Sequence, residues 1–201
     1  SASSNKSTLN RAVVNWPTPL KLVACQNSKC SSIMKRLAKG KFLSLVEQQG
    51  WEWCERNNCN GVACIVPITP QGEAIFVEQY RPPIKSQLIE WPAGLVGDED
   101  KSELMIEAAR RELEEETGYY AHTMTALCRG PASAGVSSEL LDFYLAEDLE
   151  KRSQGGGVDD ENIIVHCIPI SKIDSWLKEQ QKLGKIIDLK VYTGLYFLKQ
   201  K

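Results

Sequence analysis

The chain has 201 residues, 42% of them hydrophobic, enough to fill one core of ordinary size. No apolar run approaches the ~20 residues of a membrane-spanning helix, and nothing resembles a secretory h-region. Seven cysteines without paired CxxC motifs read as free thiols of a reducing compartment, so a cytoplasmic protein is expected.

The net charge of −2 hides an asymmetry: residues 1–46 carry eight of the 24 Lys and Arg and no Asp or Glu. Eight charges spread over that length make a weak nucleic-acid footprint, so no nucleic-acid partner is expected, nor a membrane. Residues 1–40 are read as a partly flexible tail, either a transit remnant of a longer, organelle-imported precursor or an expression scar. Strands are then expected at 41–48 and 51–56, joined through Gln48-Gln49-Gly50, and at 61–69 and 74–80, joined through Pro70-Gln71-Gly72-Glu73. A short strand at 87–91 precedes a loop and a helix over 103–117. Ser102 is placed as its N-cap and Gly118 as its left-handed C-cap. Further strands are expected near 123–128, 140–147 and 162–168, then helices at 171–182 and 188–199 separated at Gly184. Residues 148–160, with Gly155-Gly156-Gly157, are expected to form a mobile loop able to close as a lid. Helices flanking a mixed sheet give an α/β/α sandwich.

The helix carries an electrostatic problem. At about 100° per residue, Glu116 stands about 40° to one side of Glu112 and Glu115 about 60° to the other, so three carboxylates share one face. Like charges at i,i+4 destabilise a helix by roughly 0.2–0.5 kcal/mol per pair, and Arg111 neutralises only part of the cluster. Ile106, Ala109 and Leu113 line the neighbouring side, which puts the acidic stripe at the edge of a core. A hard cation relieves the repulsion, and Mg²⁺ characteristically takes one or two carboxylates and completes its shell with water and phosphate. The pattern points to chemistry on a phosphate.

The same residues fill, at one fixed spacing, Gly97, Glu103, Arg111, Glu112, Leu113, Glu115, Glu116, Gly118 and Tyr119. This resembles the Nudix box, G-x5-E-x7-R-E-U-x-E-E-x-G-U with U apolar. Gln79-Tyr80-Arg81-Pro82-Pro83 and Ile89-Glu90-Trp91-Pro92-Ala93-Gly94-Leu95 are similar to the ADP-ribose pyrophosphatase branch of that superfamily, and the likeness runs from about Phe42 to the C-terminus. One departure stands out. In that branch the glycine of the Pro-Ala-Gly turn also opens the box, whereas here Gly94 is three residues early and Gly97 keeps the count.

The resemblance implies a Nudix-type α/β/α sandwich with an N-terminal antiparallel strand extension. It implies residues 41–60 as a strand pair for dimerisation and base binding, with 61–201 as the hydrolase domain. It implies a metal-dependent pyrophosphohydrolase cleaving a nucleoside diphosphate sugar, foremost ADP-ribose to AMP and ribose 5-phosphate. Mg²⁺, or Mn²⁺ in its place, would be held by Glu112, Glu116 and the Ala93 carbonyl, with Glu115 sharing a metal or held by Arg111. Glu161, eight residues before Pro169, matches the catalytic base, with Asp160 the rival if the register slips by one, and Glu115 stands beside it as the second catalytic carboxylate. Arg81, Arg56, Trp51, Phe42 and Glu90 match substrate-side positions, the two aromatics sandwiching adenine, often one from each subunit of a homodimer. Gly97, Glu103, Arg111 and Gly118 remain as structural residues of the box. Two other readings stand: the same chemistry on UDP-glucose or an oxidised nucleotide, and a Nudix module that senses nucleotide without cleaving it.

Overall fold

A computed structural model describes residues 33–97, 100–157 and 162–200, with Met34–Lys201 forming one compact unit. The first strand, β1 (Lys35–Lys39), lies inside the segment assigned to the tail; it pairs antiparallel with β2 (Leu43–Gln48), which pairs with β3 (Trp51–Arg56). The N-terminal extension is therefore three strands rather than two. Its first strand was illegible because KRLAK shows no alternation and every residue in it is exposed.

Two four-stranded sheets follow. One has the order β10 (Ile164–Pro169), β5 (Glu73–Arg81), β6 (Ser86–Glu90), β11 (Ile186–Ile187); the other β7 (Ala93–Val96), β4 (Gly61–Pro67), β9 (Leu140–Lys151), β8 (Tyr119–Pro131). Both are mixed, since β4 runs parallel to β9 and β6 parallel to β11 while the other neighbours are antiparallel. Strand β4 is a near-continuous apolar run because both of its faces are covered. Cys64 and Val66 join a core shared with α2 (Ile173–Lys182) and α3 (Leu189–Leu198), whereas Ala63 and Ile65 join a core against α1 (Met105–Thr117). Helices thus cover opposite sides of the sheets, the α/β/α arrangement expected from sequence.

Helix α1 ends as the sequence predicts and starts differently. Gly118 is left-handed at φ 74° and donates its N–H to Glu114 O. The N-cap is Leu104 with no side-chain cap. Ser102 instead turns back on Asp100, whose Oδ1 accepts from the Ser102 N–H at 2.8 Å and from its hydroxyl at 2.6 Å. Asp100 outcompetes the helix for Ser102, as local side-chain turns do.

The loop expected over 148–160 is partly strand, because β9 runs to Lys151. Its glycines are tied to α1: Gly156 N–H donates to Glu116 O and Gly157 N–H to Glu115 O. They satisfy carbonyls that a helix C-terminus leaves unpaired.

A buried ion group fastens β10 to β5. Glu78 is 4% exposed; it shares a 2.8 Å hydrogen bond with His166 Nε2 and accepts from Lys185 Nζ at 2.7 Å. Burial pushes the Glu78 carboxyl up, but the hydrogen bonds from Lys185 and His166 outweigh it and hold the group below its ordinary 4.5. A carboxyl with a lowered folded-state value stabilises above its unfolded value and loses that contribution as pH falls through the folded one. The melting temperature is therefore expected to drop as pH falls below about 4.5, with Glu78→Gln flattening that decline. Thermal unfolding across an acid series checks this; parallel curves for the two proteins would remove Glu78 from the acid response.

Candidate active site

Strand β5 ends at Arg81, which pairs with Ser86 at the start of β6, while Glu90 at the end of β6 pairs with Val77, so the arginine side chain reaches back along the ladder to meet Glu90. Arg81 Nε donates to Glu90 Oε2 at 2.7 Å, the arginine side chain 41% exposed and the glutamate 5%. After Glu90 the chain passes through Trp91, stacked on Phe76 with ring centroids 4.3 Å apart, and Pro92 into β7. There Cys64↔Ala93 and Ala63↔Gly94 pairing with β4 fixes two residues against α1.

Both box carboxylates at the site meet that backbone. Glu116 is buried, and its Oε2 accepts from the Ala93 N–H at 3.1 Å. Glu112 lies on Gly94 so closely that a Cβ there would overlap its carboxylate. The Pro-Ala-Gly turn thus keeps its place at the carboxylates although the box count opens at Gly97. The three extra residues fall after the turn, beyond the close approach. Gly97 faces the side chain of Asn60 at φ 78°.

Arg111 organises the rest. Its Nε and Nη2 donate to the two oxygens of Glu103 at 3.0 and 3.3 Å, Nη2 also reaches Leu95 O at 3.2 Å, and Nη1 stands 3.0 Å from Glu115 and 2.9 Å from Glu112. These bonds to Glu103, ahead of the nearby charges of Glu112 and Glu115, raise the guanidinium's proton affinity above its usual value. Paired in this way, Arg111 neutralises the carboxylate face and ties α1 to the β7 backbone.

The donor set suits a hard ion. Among the described residues no three His, Cys, Asp or Glu side chains gather as a ready metal cage. Glu112 and Glu116 beside the Ala93-Gly94 backbone form a partial set, which fits a cation that draws its remaining ligands from phosphate and water.

The other residues expected on the substrate side lie on or beside the N-terminal strands. Phe42 and Trp51 are 66% and 69% exposed, and they stand at opposite ends of the β2–β3 hairpin, since Leu43 pairs with Arg56 and Gln48 with Trp51. Trp51 borders a cavity of about 280 Å³ with Trp53 and the 134–138 segment. Arg56 is paired with Glu139, which the sequence reading left without a role. Glu161 and its rival Asp160 lie outside the described residues.

Two residues escaped the sequence reading altogether. Lys190 Nζ lies 3.8 Å from Glu90 Oε1 and is paired with Asp188, the N-cap of α3. The signal present was Asp188, a capping residue type immediately after Ile186-Ile187.

Comparison with known proteins bears on the family and the fold. The family model described as NUDIX domain matches residues 58–187. A Bacillus methanolicus protein described as a methanol dehydrogenase activator is 32% identical over 139 residues, 69% of this chain and 71% of its own length. A GDP-mannose pyrophosphatase of Escherichia coli K12 is 34% identical over 147 residues, covering 69% and 73%. An ADP-ribose pyrophosphatase of Bacillus subtilis is 33% identical over 104 residues, 52% of this chain and 55% of its own. A crystal structure described as an ADP compounds hydrolase superposes with a TM-score of 0.58 at 23% identity, covering 73% of this chain and 80% of its own, a likeness of fold. Among the described residues no helix is long and apolar enough to cross a membrane.

Proposed function

The chain belongs to the NUDIX family and is a Nudix pyrophosphohydrolase, and from that premise we propose that it hydrolyses ADP-ribose to AMP and ribose 5-phosphate. The observation that carries the reading is the convergence of Glu112 and Glu116 on the Ala93-Gly94 backbone, one strand end from the Arg81–Glu90 pair. The carboxylates proposed to ligate a metal thus rest on backbone only three and four residues beyond Glu90, whose side chain holds the guanidinium proposed to bind phosphate. Relatives described as ADP-ribose and GDP-mannose pyrophosphatases support a nucleoside diphosphate sugar as the substrate class.

Nudix hydrolases use divalent cations, and Mg²⁺, replaceable by Mn²⁺, is the proposed ion, held by Glu112, Glu116 and the Ala93 carbonyl. Bound there, it would withdraw charge from the diphosphate and acidify an attacking water. Arg81, presented beside two prolines, binds the diphosphate through its guanidinium. Glu115 is tied to Arg111, which favours its holding role over a share in the metal. Glu161 is the proposed general base, a contribution typically of 10²–10⁴-fold.

The hairpin geometry supports a homodimer. Five residues separate Trp51 from Arg56, roughly 17 Å at the rise of a strand, and Phe42 adjoins the far end. Two rings that sandwich a base stand about 7 Å apart, twice a van der Waals spacing of ~3.5 Å. Phe42 and Trp51 of one chain cannot do this; Trp51 of one protomer with Phe42 of its partner can. Arg56, at the Phe42 end of the hairpin, is proposed to contact the same substrate.

The experiment is a product assay with Mg²⁺ across ADP-ribose, GDP-mannose, UDP-glucose and nucleoside triphosphates, run on wild type and Trp51→Ala. ADP-ribose is expected to give the highest kcat/KM, and Trp51→Ala to raise its KM about tenfold, as loss of a base stack worth ~1–3 kcal/mol demands. A preference for another nucleotide would replace the substrate, and an unchanged KM would return Trp51 to a packing role.

A further inference from the structure

Glu90 is held from two sides. Its Oε2 accepts from Arg81 Nε at 2.7 Å, and its Oε1 lies 3.8 Å from Lys190 Nζ, with the carboxylate side chain 5% exposed. So buried a carboxylate is costly unless cations flank it. Arg81 spends only Nε on this pair; among the described residues no hydrogen bond engages its two terminal nitrogens. They are left to meet an anion, provided the guanidinium plane is fixed. Glu90 fixes it, so whatever fixes Glu90 also aims Arg81.

The first turn of α3 is built to do that. Asp188 caps the helix by accepting from the Lys190 N–H at 2.7 Å, and the same carboxylate pairs with the Lys190 ammonium. Asp188 N–H donates to Ile89 O at 3.0 Å, beside Glu90. Trp91 Nε1–H donates to Lys190 O at 3.1 Å and Val191 O at 3.2 Å, and Gly194 lies so close that a Cβ there would overlap the indole. Parallel pairing of Ile186 and Ile187 with Leu88 and Ile89 completes the seat. The contacts outside the turn fasten it to Leu88-Ile89-Glu90-Trp91, the strand end that leads into Ala93 and Gly94.

We propose that Lys190, oriented by Asp188, is a positioning residue for substrate: it clamps Glu90 so that Arg81 presents a pre-aimed fork to the diphosphate. The first turn of the C-terminal helix is thereby part of the recognition machinery, although no side chain of it need touch the nucleotide. Preorganisation of this kind improves binding by removing the cost of ordering a long side chain. The inference rests on the reading of Arg81 as the diphosphate ligand, and the test separates the two.

The test measures kcat and KM with Mg²⁺ for ADP-ribose and GDP-mannose, together with the melting temperature, for wild type, Arg81→Met, Lys190→Met, Lys190→Arg and the double variant Arg81→Met/Lys190→Met. Lys190→Met is expected to raise KM about tenfold while kcat falls less than threefold, the signature of lost binding rather than lost chemistry. Lys190→Arg, which keeps the charge, restores KM to within about twofold. The double variant is no worse than Arg81→Met alone, because residues acting through one another do not add. An unchanged KM in Lys190→Met beside a raised one in Arg81→Met overturns the proposal and leaves the Arg81 reading standing. So does an additive double variant, or a Lys190→Arg that fails to rescue, since either makes Lys190 an independent or merely packing residue. An unchanged KM in Arg81→Met, or no turnover of either substrate by wild type, overturns both.

Discussion

Glu116→Gln is expected to reduce metal-dependent turnover by about 10²–10³-fold, the cost of removing one preorganised charge partner of a transition state, while the melting temperature moves by only a few degrees. The two effects separate because of what Glu116 touches. Its Oε2 accepts from the Ala93 N–H at 3.1 Å, and the amide oxygen of glutamine accepts the same bond in the same shape. The fold loses nothing there, and replacing a buried carboxylate by a neutral group removes a desolvation cost. What disappears is the negative charge, which strengthens a carboxylate's hold on a hard cation over that of a neutral amide oxygen. Kinetics under a Mg²⁺ titration, with thermal unfolding at each concentration, check both halves. Wild type gains stability from the cation by mass action, and the variant loses that gain. Near-wild-type turnover would return Glu116 to a purely structural role.

How much of this was legible depended on whether the cause was local. Gly118 was readable as a left-handed cap because ending the adjacent helix calls for a positive φ, here 74°, whatever else packs on it. The carboxylate face was readable because 3.6-residue periodicity is a property of the helix alone. Strand β7 was not, since Ala93–Val96 follows a proline, contains a glycine and is only four residues long; it is a strand because β4 offers it an edge. Ser102 failed as a cap because Asp100, two residues away, competes for the same donors. Lys190 stood no chance from pattern. It lies 100 residues beyond Glu90, and the long-range seating of β11 and the first turn of α3 on β6 joins them. The same holds for Glu78, His166 and Lys185, whose meeting is set by β10 pairing with β5 and by the turn after α2. Helix-borne features could be read in advance; features that depend on which strand ends become neighbours could not.

The departure of this box from its branch leads to the second large effect, a contrast between two glycines. Gly94 carries no positive φ, so alanine is compatible with its backbone, and the atoms its Cβ would meet belong to the Glu112 carboxylate, the far end of a flexible side chain that Arg111 holds by an ion pair. Gly94→Ala is therefore expected to fold, with stability within about 1 kcal/mol of wild type, and to push Glu112 out of position. Misplacing a catalytic group by about 1 Å costs on the order of 10²-fold, and turnover should fall by that much. Gly97 is the reverse case. At φ 78° an alanine is strained whatever the space, and its neighbour is the amide of Asn60 rather than a box carboxylate. Gly97→Ala should cost about 1–3 kcal/mol of stability and leave kcat per folded molecule within a few-fold of wild type. Melting temperatures and kcat for the two variants decide between the glycines. If Gly97→Ala proved the catalytically damaging one and Gly94→Ala ran at wild-type speed, the box count would outrank the Pro-Ala-Gly turn, and the carboxylates would have to be placed by the loop after it. The overlap between Gly94 and Glu112 argues for the turn: the three inserted residues lengthen the path to α1 without moving the backbone on which its carboxylates rest.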